Sequence, residues 1–236
     1  ADQRRGRAGR QAPGRCLRLW SVTEERRRPA QDPPELQRAD PQPTVLDLAQ
    51  WGAGLGEELD WLEPPPKALL QEGQQQLKQL KLLSTRGQIT ATGREVAGFG
   101  MHPRLGLMLI QARHWHLEPL ACDLAALLSE RDIPGVRLVG SDIVHRLQQL
   151  RTSGRTSDHD VLSRIRRQSL QWQKQLQAVR PAVKATSFHE PEDLAIARLI
   201  ASAFPEWLAL ARTGRPGSFL LRQGRGAMLP TSDSLS

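Results

Sequence analysis

The sequence predicts a mainly α-helical chain with a few short strands. Three observations carry this. Residues 102–212 read as a near-continuous series of amphipathic runs at helical spacing. Residues 66–98 read as helix, turn, short strand and helix, an order compatible with a winged helix. Strand character elsewhere is confined to two short stretches, "RCLRLW" at 15–20 and "SFLLRQGRGAML" at 218–229.

Each element follows from local chemistry. Gly6 and Gly9 argue against a long helix at the start but allow a short turn. Pro13-Gly14 then signals a turn, and "RCLRLW" alternates like a buried strand. Five prolines between residues 24 and 43 predict an extended connector. Thr44 is the expected cap of a helix through Val45, Leu46, Leu48 and Ala49. Pro66 is expected to open the next helix, with Leu69, Leu70, Leu77 and Leu80 on one face despite Gly73. "STRGQIT" reads as turn and strand, and Thr90 as the cap of "ATGREVAGF". Pro103 starts a further helix, and Leu120, Leu124, Leu127 and Leu128 form the apolar face of another. Ser141 is the expected cap of "DIVHRLQQLRT". In the long helix after residue 158, Val161, Ile165 and Leu176 face inward, with Arg164, Arg166, Arg167 and Lys174 outside. A final helix, "PEDLAIARLIASAF", is interrupted near Pro205, before the last stretch forms two strands around a glycine turn.

The 236 residues suffice for one or two domains with a sizeable core. Net charge is +8, so polyanions are the first partner class to consider. The charge is uneven: +6 over residues 1–28, −5 over 29–136, +6 over 137–180 and +1 over 181–236. Two separate segments are therefore suited to phosphates. Cys16 and Cys122 are too far apart in sequence, and too few, for a disulfide framework or a cysteine zinc site. No apolar run is long enough to span a bilayer and no signal-peptide core is present, so a soluble cytoplasmic protein without membrane partners is expected.

The most informative stretch is "QRRGRAGR", residues 3–10. Arg7 and Arg10 are three residues apart, which puts both guanidinium groups on one side of a helical turn. Gly6 and Gly9 let the backbone lie close to another surface. Two forked cations on such a turn suit the γ-phosphate of a nucleotide, and the Gln3 amide can bind a phosphate oxygen or the attacking water. Weaker signals stay structural. His114 and His116 are two apart and share no helix face, so no metal site is expected. The tryptophans, Trp20, Trp51, Trp61, Trp115, Trp172 and Trp207, could stack on bases, but most sit among apolar residues and are expected in the core. The charges of Ser129–Asp132 could be catalytic in principle, but a Glu130–Arg131 ion pair at a helix end is expected, and "HPR" at 102–104 is expected to pack and cap, with Arg104 facing a neighbouring domain.

"QRRGRAGRQAPGRCLRLWS" resembles motif VI of DEAH-box superfamily 2 helicases. "LDWLEPPPKAL", "ITATGREVA", "HPRLGLML", "LAALLSERD" and "FLLRQGRGAML" resemble, in order, later segments of the HrpB branch. Leu17, Pro41 and Lys81 depart from the pattern, at places where an aromatic, an aliphatic and a glycine are usual. The resemblance implies a mainly α chain: a winged helix plus a helical ratchet-like bundle, preceded by the last piece of a RecA-like α/β domain. It implies boundaries at 1–28 for that RecA-like end, 29–43 for a linker, 44–103 for the winged helix, 104–190 for the ratchet-like bundle and 191–236 for the start of a family-specific C-terminal region. It implies that Arg7 and Arg10 are arginine fingers, that Gln3, Gly6, Arg7 and Arg10 meet the ATP phosphates, and that the activity is ATP-driven unwinding of RNA. DNA is the second nucleic acid to test. Arg164, Arg166, Arg167 and Lys174 are the candidate RNA contacts.

The chain has no G-x-x-x-x-G-K-[ST] and no D-E-x-H. The expectation is therefore a C-terminal fragment that is inactive alone. Its ATP and Mg²⁺ would be held largely by RecA-like domains of the same protein that precede this chain. The alternative is a stand-alone winged-helix and helical RNA-binding module without ATPase activity.

Overall fold

In the computed structural model, residues 2–28, 34–130, 141–152, 159–178 and 190–236 are described. They fall into two compact units, Ala1–Ala39 and Asp40–Ser236. The architecture is mainly α, as the sequence predicts.

The first unit contains two short helices, α1 (Asp2–Ala8) and α2 (Val22–Arg27), and a 3₁₀ turn at Glu35–Gln37. The Pro13-Gly14 turn folds back on α1: a Cβ at Gly14 would stand 2.0 Å from the Ala8 carbonyl oxygen, so only glycine fits there. Ser21 caps α2 by accepting from the Glu24 N–H at 3.1 Å. The Glu25 carboxylate accepts from both Arg18 and the Trp20 indole, and Arg28 lies 4.2 Å over the Trp20 ring. The strand predicted at "RCLRLW" is absent. Leu17 and Leu19 are 85% and 92% exposed. A strand needs a neighbouring backbone ladder, and no strand occurs among the described residues of this unit. Pro33 and residues 29–32 of the predicted connector lie outside the described residues.

The second unit is built on one contiguous apolar core running from Val45 to Ala203. Its first helices are α3 (Gln42–Trp51), α4 (Lys67–Gln79) and α5 (Ala91–Ala97). Thr44 does not cap α3. The helix starts two residues earlier, where Asp40 Oδ1 accepts from the Gln42 N–H at 2.8 Å, so Thr44 sits inside the first turn. Pro66 is the cap rather than the first residue of α4. Leu70 and Leu77 are buried as predicted, with Leu69 and Leu80 half-buried. Gly73 turns out to be required: a Cβ there would come within 2.9 Å of the Pro41 ring, so its absence lets α4 close on the start of α3. Between α4 and α5 a turn at 84–87 is closed by an antiparallel bridge, Leu83 to Ile89. Thr90 caps α5 by accepting from the Gly93 N–H at 3.0 Å, as predicted. At Gly93 a Cβ would meet the Leu82 carbonyl oxygen at 2.3 Å.

Helix α6 (Pro103–Trp115) is central, with Pro103 through Ile110 all buried. It packs against α5, α7 (Glu118–Ser129) and α10 (Glu192–Ala203). A helix apolar on every side belongs inside a core. Leu120, Leu124 and Leu127 of α7 are buried, whereas Leu128 is exposed at the end of the helix. Helix α8 (Ile143–Thr152) is capped by Asp142, which accepts from the Val144 N–H at 2.9 Å, rather than by Ser141. The Ser141 N–H donates instead to Asp233 at 2.8 Å. Helix α9 (His159–Ala178) lays Leu162, Ile165, Ser169, Trp172 and Leu176 against α7 and the core. This is the i, i+3, i+4 spacing of a buried stripe. Ser169 satisfies its buried hydroxyl on Asp123 at 2.6 Å.

After the break at Pro205–Trp207 comes an antiparallel meander, β1 (Ala209–Ala211), β2 (Ser218–Leu221) and β3 (Gly226–Met228). Leu210 pairs with Leu220, and Phe219 with Ala227. The sequence predicted β2 and β3. It did not predict β1, whose "ALA" has helical propensity and takes its strand form from pairing with β2.

Candidate functional site

The arginine motif occupies α1 and the residues after it. Arg7 lies in the last turn of the helix, while Arg10 lies two residues beyond its end. Both are exposed. Gly6 has nothing within 4 Å of where a Cβ would stand, so the backbone face beside Arg7 is open. Gln3 lies in the same helix, and its side chain is outside what is described. Arginines in the last turn also oppose the negative end of the helix dipole.

The second predicted surface, on α9, divides into two. Arg164 forms a two-pronged pair with Glu130 at 2.9 and 3.1 Å. Arg166 donates from Nε to the Leu150 carbonyl at 3.0 Å, closing the end of α8. Arg167 and Lys174 are exposed, and neither has an ion-pair partner among the described residues. They are seven residues apart, which puts them on one stripe. Of the four predicted contacts, then, two have partners within the fold and two face outward without an ion-pair partner among the described residues. Glu130 has Arg164 as its described partner, and Arg131 lies outside the described residues.

Several features escaped sequence reasoning. Arg104, expected to face a neighbouring domain, reaches residues 203–206, beyond the predicted boundary at 190. It is buried, donating to the Ala203 carbonyl at 2.8 Å, pairing with Glu206 and lying 5.5 Å over the Phe204 ring. It thereby ties the start of α6 to the end of α10. The signal was an arginine in the first turn of an otherwise apolar helix. The tryptophans were expected mostly in the core. Trp172 is buried, Trp20, Trp61 and Trp115 are half-buried, and Trp51 and Trp207 are exposed. Trp207 stacks on Phe204 with ring centres 5.1 Å apart.

The start of α6 meets that of α3 through His102, whose Nε2 lies 3.1 Å from Asp40 Oδ2, while its Nδ1 accepts from the Arg104 N–H. Burial pushes the Asp40 carboxyl up. Hydrogen bonds from His102 and the Gln42 N–H, with the charges of His102 and Arg104, outweigh it and hold the group below its ordinary value. No group of His, Cys, Asp and Glu able to hold a metal occurs among the described residues. No described helix is long and apolar enough to cross a membrane.

No family model matches the chain. It is 30% identical over 234 residues to the ATP-dependent RNA helicase HrpB of Escherichia coli (strain K12), covering 99% of this chain and 26% of that protein. It is 34% identical over 133 residues to the probable ATP-dependent RNA helicase DHR2 of Saccharomyces cerevisiae, covering 56% and 18%. A crystal structure of the E. coli DEAH/RHA helicase HrpB matches with a TM-score of 0.75 at 30% identity, over 99% of this chain and 27% of that one. A second, of the E. coli DExH-box NTPase HrpB, gives 0.72 at 31%, over 99% and 26%. Motif and fold together are those of the DEAH-type helicases. The chain belongs to their HrpB-like family, and it spans about a quarter of the length of these HrpB relatives.

Proposed function

We propose that this chain is part of an ATP-dependent RNA helicase, contributing arginine fingers to the ATP site and helices to the RNA path. The observation that carries this is the motif "QRRGRAGR" in a chain similar to HrpB over 99% of its length. In this reading Arg7 and Arg10 offset negative charge on the γ-phosphate, Gln3 holds a phosphate oxygen or the attacking water, and Gly6 leaves room for the backbone to approach. Exposed guanidinium groups beside an open glycine face fit a phosphate. Bound ATP would supply the free energy for movement along RNA. Mg²⁺ and the rest of the phosphate cradle would be held by RecA-like domains of the same protein, since the chain lacks both motifs that carry them.

We assign residues 1–28 to the end of the second RecA-like domain, 44–103 to the winged helix, 104–190 to the ratchet-like bundle and 191–236 to the start of the C-terminal region. The order α3, α4, bridged turn, α5 supports the winged-helix part. Arg167 and Lys174 are the RNA backbone contacts this reading favours.

The test has two arms. The 236-residue chain should show no RNA-stimulated ATP turnover. In the same chain joined to RecA-like domains that carry the missing motifs, Arg7→Ala should lower kcat by roughly 10³-fold, the lower end for an arginine finger. Turnover by the isolated chain that Arg7→Ala abolishes would overturn the first arm. Unchanged kcat in the joined protein would overturn the second.

A further inference from the structure

We infer that the cavity where α6, α7 and α9 converge is a pocket for a nucleobase of single-stranded nucleic acid. The inference rests on the RNA-binding reading above and adds a base-reading site to it. The cavity has a volume of about 700 Å³ and lies wholly within the second unit. That volume falls in the range of pockets that enclose small organic ligands, roughly 300–1,000 Å³.

Its lining has the chemistry of a flat, uncharged, hydrogen-bonding ligand. Leu105, Ala126, Ile165 and Trp172 supply apolar wall. Phe204 and Trp207 form one side, stacked at 24° to each other. Phe204 covers one face of the Trp207 indole, and the residue is 61% exposed, so the ring is open to a second stacking partner. The Gln168 amide lines the cavity and has no hydrogen-bond partner among the described residues. An amide offers a donor and an acceptor side by side, which matches the edge of a base.

The charges argue against a phosphate in the same place. Each cation on the lining has a carboxylate of its own: Arg164 has Glu130, Arg104 has Glu206 and His102 has Asp40. The unpaired cations stand next door. Arg164, Gln168 and Trp172 recur at every fourth residue along α9 and form the pocket stripe. Arg167 and Lys174 occupy the adjoining exposed stripe of the same helix. One helix thus offers phosphates a cationic stripe and bases an aromatic pocket, side by side. Arg104 holds Ala203 and Glu206, which flank Phe204 and precede Trp207, against the start of α6.

The test uses the 236-residue chain, a short fluorescein-labelled adenosine oligoribonucleotide and an abasic oligomer of the same length, titrated over a range of salt. Trp207→Leu should weaken binding of the adenosine oligomer about tenfold, within the range for loss of one stacked base. Trp207→Phe should restore most of that loss. Gln168→Leu should weaken it severalfold. None of these variants should alter binding of the abasic oligomer or the slope of affinity against salt, whereas Arg167→Glu with Lys174→Glu should alter both. Because Trp207 is exposed, its variants should keep the wild-type far-ultraviolet circular dichroism spectrum. Base-dependent binding untouched by Trp207→Leu and Gln168→Leu overturns the pocket alone. Equal weakening of adenosine and abasic oligomers overturns it too. If the wild-type chain binds neither oligomer, the RNA-binding reading falls and the pocket falls with it.

Discussion

Leu17 and Leu19 in the first unit stand almost wholly in solvent, while in the second unit no residue from Pro103 to Ile110 is exposed. The motif that identifies the family lies in the first unit, where the described helices bury little. The second unit carries nearly all of the apolar core and no comparably specific motif. On the proposed reading, chemistry and stability are thus encoded in different places: an arginine finger must reach a phosphate and therefore stays exposed. A core residue must be excluded from water and is recognised by periodicity rather than by identity.

The sharpest way to break this contrast is to substitute in both units and compare stability. Gly93→Ala puts a Cβ 2.3 Å from the Leu82 carbonyl oxygen, where backbone must move, and should cost about 3 kcal/mol. Leu109→Ala removes a fully buried side chain of α6 and should cost about 2–5 kcal/mol. Leu19→Ala in the first unit should change stability by no more than about 0.5 kcal/mol. Urea unfolding followed by circular dichroism reads all three. A Leu19 cost equal to that of Leu109 would mean that the first unit buries this residue after all.

What the sequence made legible follows the same division. Thr90, Pro103, the run from Glu192 to Ala203 and the β2–β3 hairpin were readable because each depends on residues close in sequence: a cap, a proline start, a helical period, a glycine turn. The arginine motif was readable because its spacing is nearly unique. What was missed depends on partners far along the chain. "RCLRLW" alternates like a strand but has no ladder to join. Thr44 is a good cap, but the helix already starts after Pro41, where Asp40 accepts from the Gln42 N–H and engages His102, 62 residues away. Gly73 interrupts the pattern of its own helix, and only Pro41, packed against it, accounts for it. Arg104 and Trp207 gain their roles only when the two ends of the bundle meet. The pocket had no sequence signal, because its lining comes from Asp40 to Trp207.

A second contrast concerns the two thiols, one in each unit. Cys16 is exposed, and Cys122 is buried in α7. Burial, with the neighbouring charges of Asp123 and Glu118, pushes the Cys122 thiol up to about 12. At pH 8 its thiolate fraction is then about one in ten thousand, and the thiolate is the reactive form. A thiol reagent should modify Cys16 rapidly in the folded chain. Cys122 should react only as fast as the core opens, and in denaturant both should react together. Rapid loss of two thiols without denaturant would show that α7 is less firmly packed than its burial implies.

The smallest effect lies at helix ends and tests how closely the second unit approaches its own optimum. Helices α3, α4 and α6 all end with a residue in the left-handed region: Gly52 at φ 78°, Lys81 at 59° and His116 at 55°. In each, the next N–H reaches back to a carbonyl of the last turn: Ala53 to Leu48, Leu82 to Leu77 and Leu117 to Ala112. Only the first uses the residue that this geometry favours. A side chain there costs roughly 1–2 kcal/mol, and glycine gives back about 0.5–1 kcal/mol through its freer unfolded chain. Lys81→Gly should therefore stabilise the unit by about 0.5 kcal/mol, read as a higher urea midpoint. The Thr90 hydroxyl would still donate to the carbonyl of residue 81, a bond that needs only backbone. This is also the position where the family pattern favours glycine, so the conformation explains the preference. A lower midpoint for Lys81→Gly would mean that the lysine side chain itself contributes to the folded state, and that the departure from glycine has a use.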